Sequence, residues 1–199
     1  MNETVHLQTE NIWLDSRHRY GLISRALHWI MAYLLIWQFF SLLTWRMFGP
    51  AEWVKVVTSF GPYHGTVGLL VLPLVILRAL WALANRHRRP HRDADWRGRA
   101  AHIAHMTFYL LMFAIPALAL LRAYGNGKGW APFIPATGEQ NEWLTAPANL
   151  LHGPLSWTLS ILIAVHIVAA LFHRFVQKDA TLARMVGPLK RQATRSRNG

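Results

Sequence analysis

The reading of this chain turns on residues 150–175, LLHGPLSWTLSILIAVHIVAALFHRF. This run holds no Asp, Glu or Lys, and its one Arg, Arg174, sits at its end. Its length exceeds the roughly 20 apolar residues that a helix needs to cross a bilayer core. Besides His173 near its end, two histidines interrupt it, His152 and His166, fourteen positions apart. Fourteen residues at about 100° each fall only about 40° short of four turns and rise about 21 Å. Both imidazoles therefore project from nearly one face of one spanning helix, at two depths.

Three further stretches share that character, at about residues 22–48, 63–83 and 100–121. No carboxylate occurs between Ser16 and Ala51, Trp53 and Arg92, Trp96 and Gly138, or Trp143 and Lys178. Only 15% of the 199 residues are charged, against about 25% in soluble domains. An ordinary soluble globule and a disordered basic protein are both excluded. With no cysteine, disulfides, thiolate zinc sites, cysteine-ligated iron–sulfur clusters and covalent c-type haem attachment are excluded too. The first span is too long and too late to be a cleaved signal peptide. No internal repeat is present. The expected fold is an all-α membrane protein, a bundle of four transmembrane helices.

Basic residues set the expected orientation. Arg17, Arg19 and Arg25 precede or open the first span, and Arg86, Arg88, Arg89, Arg92, Arg97 and Arg99 follow the second. Arg174, Lys178, Arg184, Lys190, Arg191, Arg195 and Arg197 follow the last. The opposite side offers Arg46, Lys55, Arg122 and Lys128, so both termini are expected in the cytoplasm. Topology accounts for the formal charge of +12, and no nucleic-acid partner is expected. Outside, Trp45, Trp53, Phe60, Trp130, Phe133 and Trp143 suit a headgroup belt. Residues 125–129 with Pro132, Pro135 and Pro147 read as turns.

Ionisable groups inside spans are expensive and point to function. His64 opens the second span, level with His152, while His28 lies in the first span towards the level of His166. Two imidazole pairs follow, one per leaflet. Paired axial imidazoles between facing helices suit haem b, and Gly65, Gly68 and Gly153 would admit a macrocycle close to backbone. Arg46 and Arg122 outside, and Arg25 and Arg78 inside, are candidates to pair with propionates. His105, one turn after His102, starts near the same side as His28 and rivals it for the inner iron. A single buried imidazole bonded to a neighbouring carbonyl would need no ligand at all. Zinc lacks a membrane-depth carboxylate or thiolate to complete its shell, and a proton relay normally includes Asp or Glu.

These residues resemble the bacterial cytochrome b561 family over nearly the whole chain, from Tyr20 to about Pro188. The motifs are Leu27-His28-Trp29, His64-Gly65 with Gly68, Arg78, Ala101-His102-Ile103-Ala104-His105, and Ile115-Pro116-Ala117-Leu118. Then come His152, Val165-His166-Ile167-Val168-Ala169-Ala170, His173, and residues 178–185, KDATLARM. Membrane cytochrome subunits of formate dehydrogenases and nickel–iron hydrogenases share the fourteen-residue histidine spacing. The resemblance implies a dihaem b cytochrome of the bacterial inner membrane, with the inner haem on His28 and His166 and the outer on His64 and His152.

Within the family the likeness is to the superoxide oxidase type. That implies superoxide as electron donor at the periplasmic face and ubiquinone as acceptor near the cytoplasmic face, with His173 matching a quinone-contact position. An ordinary imidazole, with a pKa of about 6.5, suits a proton donor there; a surface histidine beside Arg174 is the plainer alternative. The competing function is an electron-transfer cytochrome that links the quinone pool to a periplasmic redox protein or anchors a dehydrogenase or hydrogenase. About forty residues of outer loop are small for a standard docking interface. The family domain is expected over 20–188, flanked by an N-terminal tail, 1–19, and a basic C-terminal tail, 189–199. The N-terminal tail is longer than the resemblance leads one to expect. Arg46, Lys55, Arg122 and Lys128 against Glu52, Glu139 and Glu142 leave one surplus positive charge outside. Steering of a small anion would thus be local, through Arg122 and Lys128, and sensitive to salt.

Overall fold

The computed structural model describes residues 11–90 and 95–187. Arg92, Lys190, Arg191, Arg195 and Arg197, the expected 189–199 tail and the first ten residues lie outside them. Among the described residues the chain is helical, with no β-strand: α1 Leu22–Phe48, α2 Glu52–Thr58, α3 His64–Ala84, α4 Trp96–Gly125, α5 Glu142–Phe172 and α6 Ala183–Val186. A π-helical turn, His173–Gln177, continues α5. Four helices are long and apolar enough to span a membrane: α1, α3, α4, and α5 with its π turn.

The spans form an up-and-down bundle in which α1 packs on α3, α3 on α4, and α4 on α5. Its core holds Met31 and Leu34 from α1, Val67, Val71 and Val75 from α3, Leu111, Met112 and Ile115 from α4, and Leu159 from α5. Large apolar side chains face outwards, among them Trp29, Tyr33, Ile36, Phe40, Leu80, Leu110, Ile161 and Val168. In water so much apolar surface would be a liability; against lipid it is the solvated face. Pro73, Pro116, Pro147 and Pro154 lie inside helices, as membrane spans tolerate.

Two helix boundaries differ from expectation. Helix α4 starts at Trp96 because Asp95 caps it, accepting from the Gly98 amide at 2.9 Å. Helix α5 starts at Glu142, so Pro147 lies within the helix and marks no turn. The cause is close packing on α4: a Cβ at Gly125 would stand 2.6 Å from Leu144 Cβ, and the Asn141 amide donates to the Gly125 carbonyl at 2.7 Å. The link between α1 and α3 carries the short helix α2, which the apolar pattern did not announce.

The end of the bundle that carries the described N- and C-terminal segments, here the tail end, is held by buried polar groups. The Asp15 carboxylate accepts from the Gly21 amide and the Ser24 hydroxyl, both at 2.9 Å, and from Arg89 Nε at 3.2 Å. Trp81 Nε1 donates to the same Ser24 hydroxyl at 2.9 Å, joining α3 to α1. Arg25 donates to the carbonyls of Tyr20, Arg184 and Gly187 at 3.0, 3.0 and 2.5 Å. The buried charges of Asp15 and Arg25 thus have partners, the condition under which burial is tolerated.

Candidate functional site

Histidines meet at two levels of the bundle. Towards the loop end, opposite the tails, His64 in the first turn of α3 faces His152 of α5 with ring centroids 6.0 Å apart and planes at 67°. Towards the tail end, His28 of α1 faces His166 of α5 at 6.4 Å and 65°. Helix α5 contributes to both levels, as its histidine spacing anticipates. His105 of α4 also stands 6.0 Å from His166, at 82°, and Phe108 lies edge-on to His166 at 5.5 Å. Distance alone leaves His28 and His105 as alternative partners of His166. His102, one turn earlier, is exposed.

Three of these rings, His64, His105 and His152, have Nδ1 engaged. His152 Nδ1 lies 3.2 Å from the Ile115 carbonyl, and His105 Nδ1 lies 2.5 Å from the Ala101 carbonyl. A ring nitrogen facing a carbonyl carries the proton, which leaves Nε2 with its lone pair for a metal. His64 Nδ1 lies 2.5 Å from the side-chain amide of Gln38 on α1. Gln38 is a site residue that the sequence reading missed, since a single amide in an apolar run carries no spacing signal.

The arrangement fits an iron porphyrin. With metal–imidazole bonds of about 2 Å each, two axial imidazoles on one ion place their centroids about 6 Å apart, close to the separation at both levels. A cavity beside the loop-end pair is lined mainly by apolar side chains, with Gly65, Gly68, Gln38, His64 and His152 among its walls. A Cβ at Gly68 would find only Pro116 Cβ, at 4.0 Å, and one at Gly65 would press on the Trp130 ring at 3.3 Å. Gly153 has nothing within 4 Å and lines no part of this cavity. Among the described residues no group of three or more His, Asp or Glu side chains is placed to hold a metal ion.

Two buried side-chain polar atoms lack a partner among the described residues, Gln38 Oε1 and Arg78 Nη1. Arg78 lies on α3, within coulombic range of His28 and His166. A propionate would answer its orphaned donor. Arg25, the other inner candidate, is bound to three main-chain carbonyls and serves instead to tie the C-terminal segment to α1. Arg46 and Arg122 are exposed in the last turns of α1 and α4.

His173 opens the π-helical turn. Its Nδ1 lies 2.5 Å from Asp179 Oδ2, because Lys178, in the left-handed region at φ 54°, folds the chain back on itself. The Asp179 amide donates to the His173 carbonyl at 3.2 Å, and the Thr181 amide donates to Asp179 Oδ1 at 2.8 Å. Partial burial raises the Asp179 carboxyl pKa, but hydrogen bonds with His173 and Thr181 prevail and hold it at about 2. The carboxylate is therefore ionised and presents an oxygen to Nδ1, leaving Nε2 of His173 outside this bond.

Comparison with known proteins gives the family. A family model described as prokaryotic cytochrome b561 matches residues 19–188. Cytochrome b561 homolog 2 of Escherichia coli is 31% identical over 87% of this chain and 94% of its own. Probable superoxide oxidase CybB of Yersinia pestis is 29% identical over 87% of this chain and 98% of its own. Cytochrome b562 of Cereibacter sphaeroides is 33% identical over 63% of this chain and 66% of its own.

Proposed function

Since the chain belongs to the prokaryotic cytochrome b561 family of haem b membrane cytochromes, we propose that it oxidises superoxide at a periplasmic face and reduces ubiquinone near a cytoplasmic one. The bacterial inner membrane is its proposed site, with the tail end cytoplasmic by its arginines. Two haems b, when bound, supply one-electron chemistry at two depths. The observation that carries the reading is the pair of histidine contacts at 6.0 and 6.4 Å that share α5. The name printed for the Yersinia pestis relative supports the superoxide part.

Each group of the chain has a stated task. His64 and His152 hold the loop-end site, and His28 and His166 the tail-end one. Arg78 neutralises a carboxylate brought in by the cofactor, and Arg46 and Arg122 do the same at the loop end. The packed side chains of Met31, Val71 and Met112 keep water out between the levels. Arg122 and Lys128 attract a small anion over a short range. His173, oriented by Asp179, hydrogen-bonds the quinone and hands it a proton from the cytoplasmic side.

Overall, two superoxide anions, one ubiquinone and two protons give two O2 and one ubiquinol. No bond breaks at the outer face, so no acid or base is needed there. The test is kinetic. Purified holoprotein with ubiquinone should consume superoxide far faster than spontaneous dismutation, with haem reduction as the earliest signal. Reduction by a periplasmic redox protein and none by superoxide would replace this reading with a partner-linked electron carrier or complex anchor.

A further inference from the structure

Gln38 is a polar side chain in the interior of α1, among Leu35, Trp37, Phe39 and Phe40. An amide at such a depth is costly unless it is bonded. Its Nε2 lies 2.5 Å from His64 Nδ1 and donates to the His64 carbonyl at 3.3 Å, and its Oε1 is buried with no partner. Both Gln38 and His64 line the cavity beside the loop-end pair. At His152 and His105 the corresponding contact is a main-chain carbonyl, which no substitution can remove. At His64 it is a side chain, and so a place where sequence can tune the site.

We propose that Gln38 is a positioning residue for the loop-end haem: its amide oxygen accepts from His64 Nδ1–H, fixes the ring and raises the electron density on Nε2. The two ends of an amide have the same shape, and turning it over exchanges the 3.3 Å bond from Gln38 Nε2 to the His64 carbonyl for a stronger one from His64 Nδ1–H; only that orientation leaves the ring's Nε2 able to bind iron. In either orientation one amide atom remains for the occupant of the cavity. An acceptor on the far nitrogen of an axial imidazole makes it a stronger donor, which favours ferric over ferrous iron and lowers the reduction potential. The inference rests on His64 being an axial ligand.

The experiment titrates solubilised holoprotein spectroelectrochemically and records the low-spin ferric EPR signals, for the parent and for Gln38→Leu, Gln38→Glu and His64→Ala. Gln38→Leu should keep two haems while one potential rises. The shift expected is about tenfold in the reduced-to-oxidised ratio at fixed poise, or about 59 mV for a one-electron couple. Gln38→Glu should lower that same potential, and the other haem should be unmoved in both. If Gln38→Leu loses the loop-end haem, Gln38→Glu decides: a lowered potential upholds the proposal and an unchanged one overturns it. Unchanged potentials in haem-replete Gln38→Leu overturn it outright. If His64→Ala keeps both haems, the ligand reading has failed and the proposal falls with it.

Discussion

His64 and His152 approach with ring centroids 6.0 Å apart and planes 67° from parallel. The outer nitrogen of one faces the Gln38 amide at 2.5 Å and that of the other the Ile115 carbonyl at 3.2 Å. Helix α1 therefore supports the loop-end pair from one side and α4 from the other, although neither supplies an imidazole there. The tail-end pair, His28 and His166, has a similar separation of 6.4 Å but a third imidazole, His105, also beside it.

Each pair should fail separately. His64→Ala or His152→Ala should remove one b-type signal and leave the other largely intact, and His28→Ala or His166→Ala should do the reverse. Reduced-minus-oxidised difference spectra of the purified variants measure this. If His105→Ala abolishes the second signal and His28→Ala does not, His105 is the inner ligand and His28 is its neighbour.

Arg78→Gln should weaken the tail-end site without touching the other. Nη1 is buried with no partner of its own, so the loss is that of a charge-assisted bond to a carboxylate. About a tenfold loss of haem retention is expected, in the lower part of the range for supporting groups around metal sites. Haem transfer to an apo-acceptor protein, followed by absorbance, measures it. Equal loss from both sites would assign Arg78 a general structural role.

Asp179→Asn should slow ubiquinone reduction by about tenfold, the lower part of the range for general acid–base groups, while haem content and spectra stay as they were. Stopped-flow oxidation of the pre-reduced protein by ubiquinone gives the rate. The pH effect has a definite sign. Asp179 has its pKa depressed to about 2 when folded, so its contribution is present above the ordinary carboxylate pKa of about 4 and is lost as pH falls towards 2. Limited proteolysis of the tail end should accordingly be indifferent to pH between 5 and 8 on this group's account. It should increase only in that acid window.

Gly125→Val should destabilise the α4–α5 pair. The added Cβ would stand 2.6 Å from Leu144 Cβ, an overpacking that costs about 1–3 kcal/mol. Thermal denaturation in detergent, followed by helical circular dichroism, should show a lower midpoint, whereas Gly153→Ala, which meets nothing within 4 Å, should change it less.

Much of this was legible in the chain because the membrane simplifies it. Carboxylate-free apolar runs mark the spans, and the fourteen-position offset of His152 and His166 fixes one face and two depths. What escaped was set by tertiary contact. Helix α5 begins before Pro147 because Gly125 lets the α5 start close on α4, which no local pattern states. Arg25 reads as an anion partner by position, yet it is consumed by carbonyls of the C-terminal segment, far away in sequence. Gln38 and the His173–Asp179 contact depend on a facing helix and on a left-handed turn at Lys178. His28 and His105 remain equal by depth in the sequence and nearly equal by distance in the fold.

The central claim is that paired imidazoles at two levels bind two iron porphyrins in one polypeptide. Pyridine haemochrome assay against quantitative amino-acid analysis of the purified chain tests it most directly. The account predicts two haems b per chain, falling to one in His64→Ala and to one in His166→Ala. A parent protein with one haem or none would contradict it.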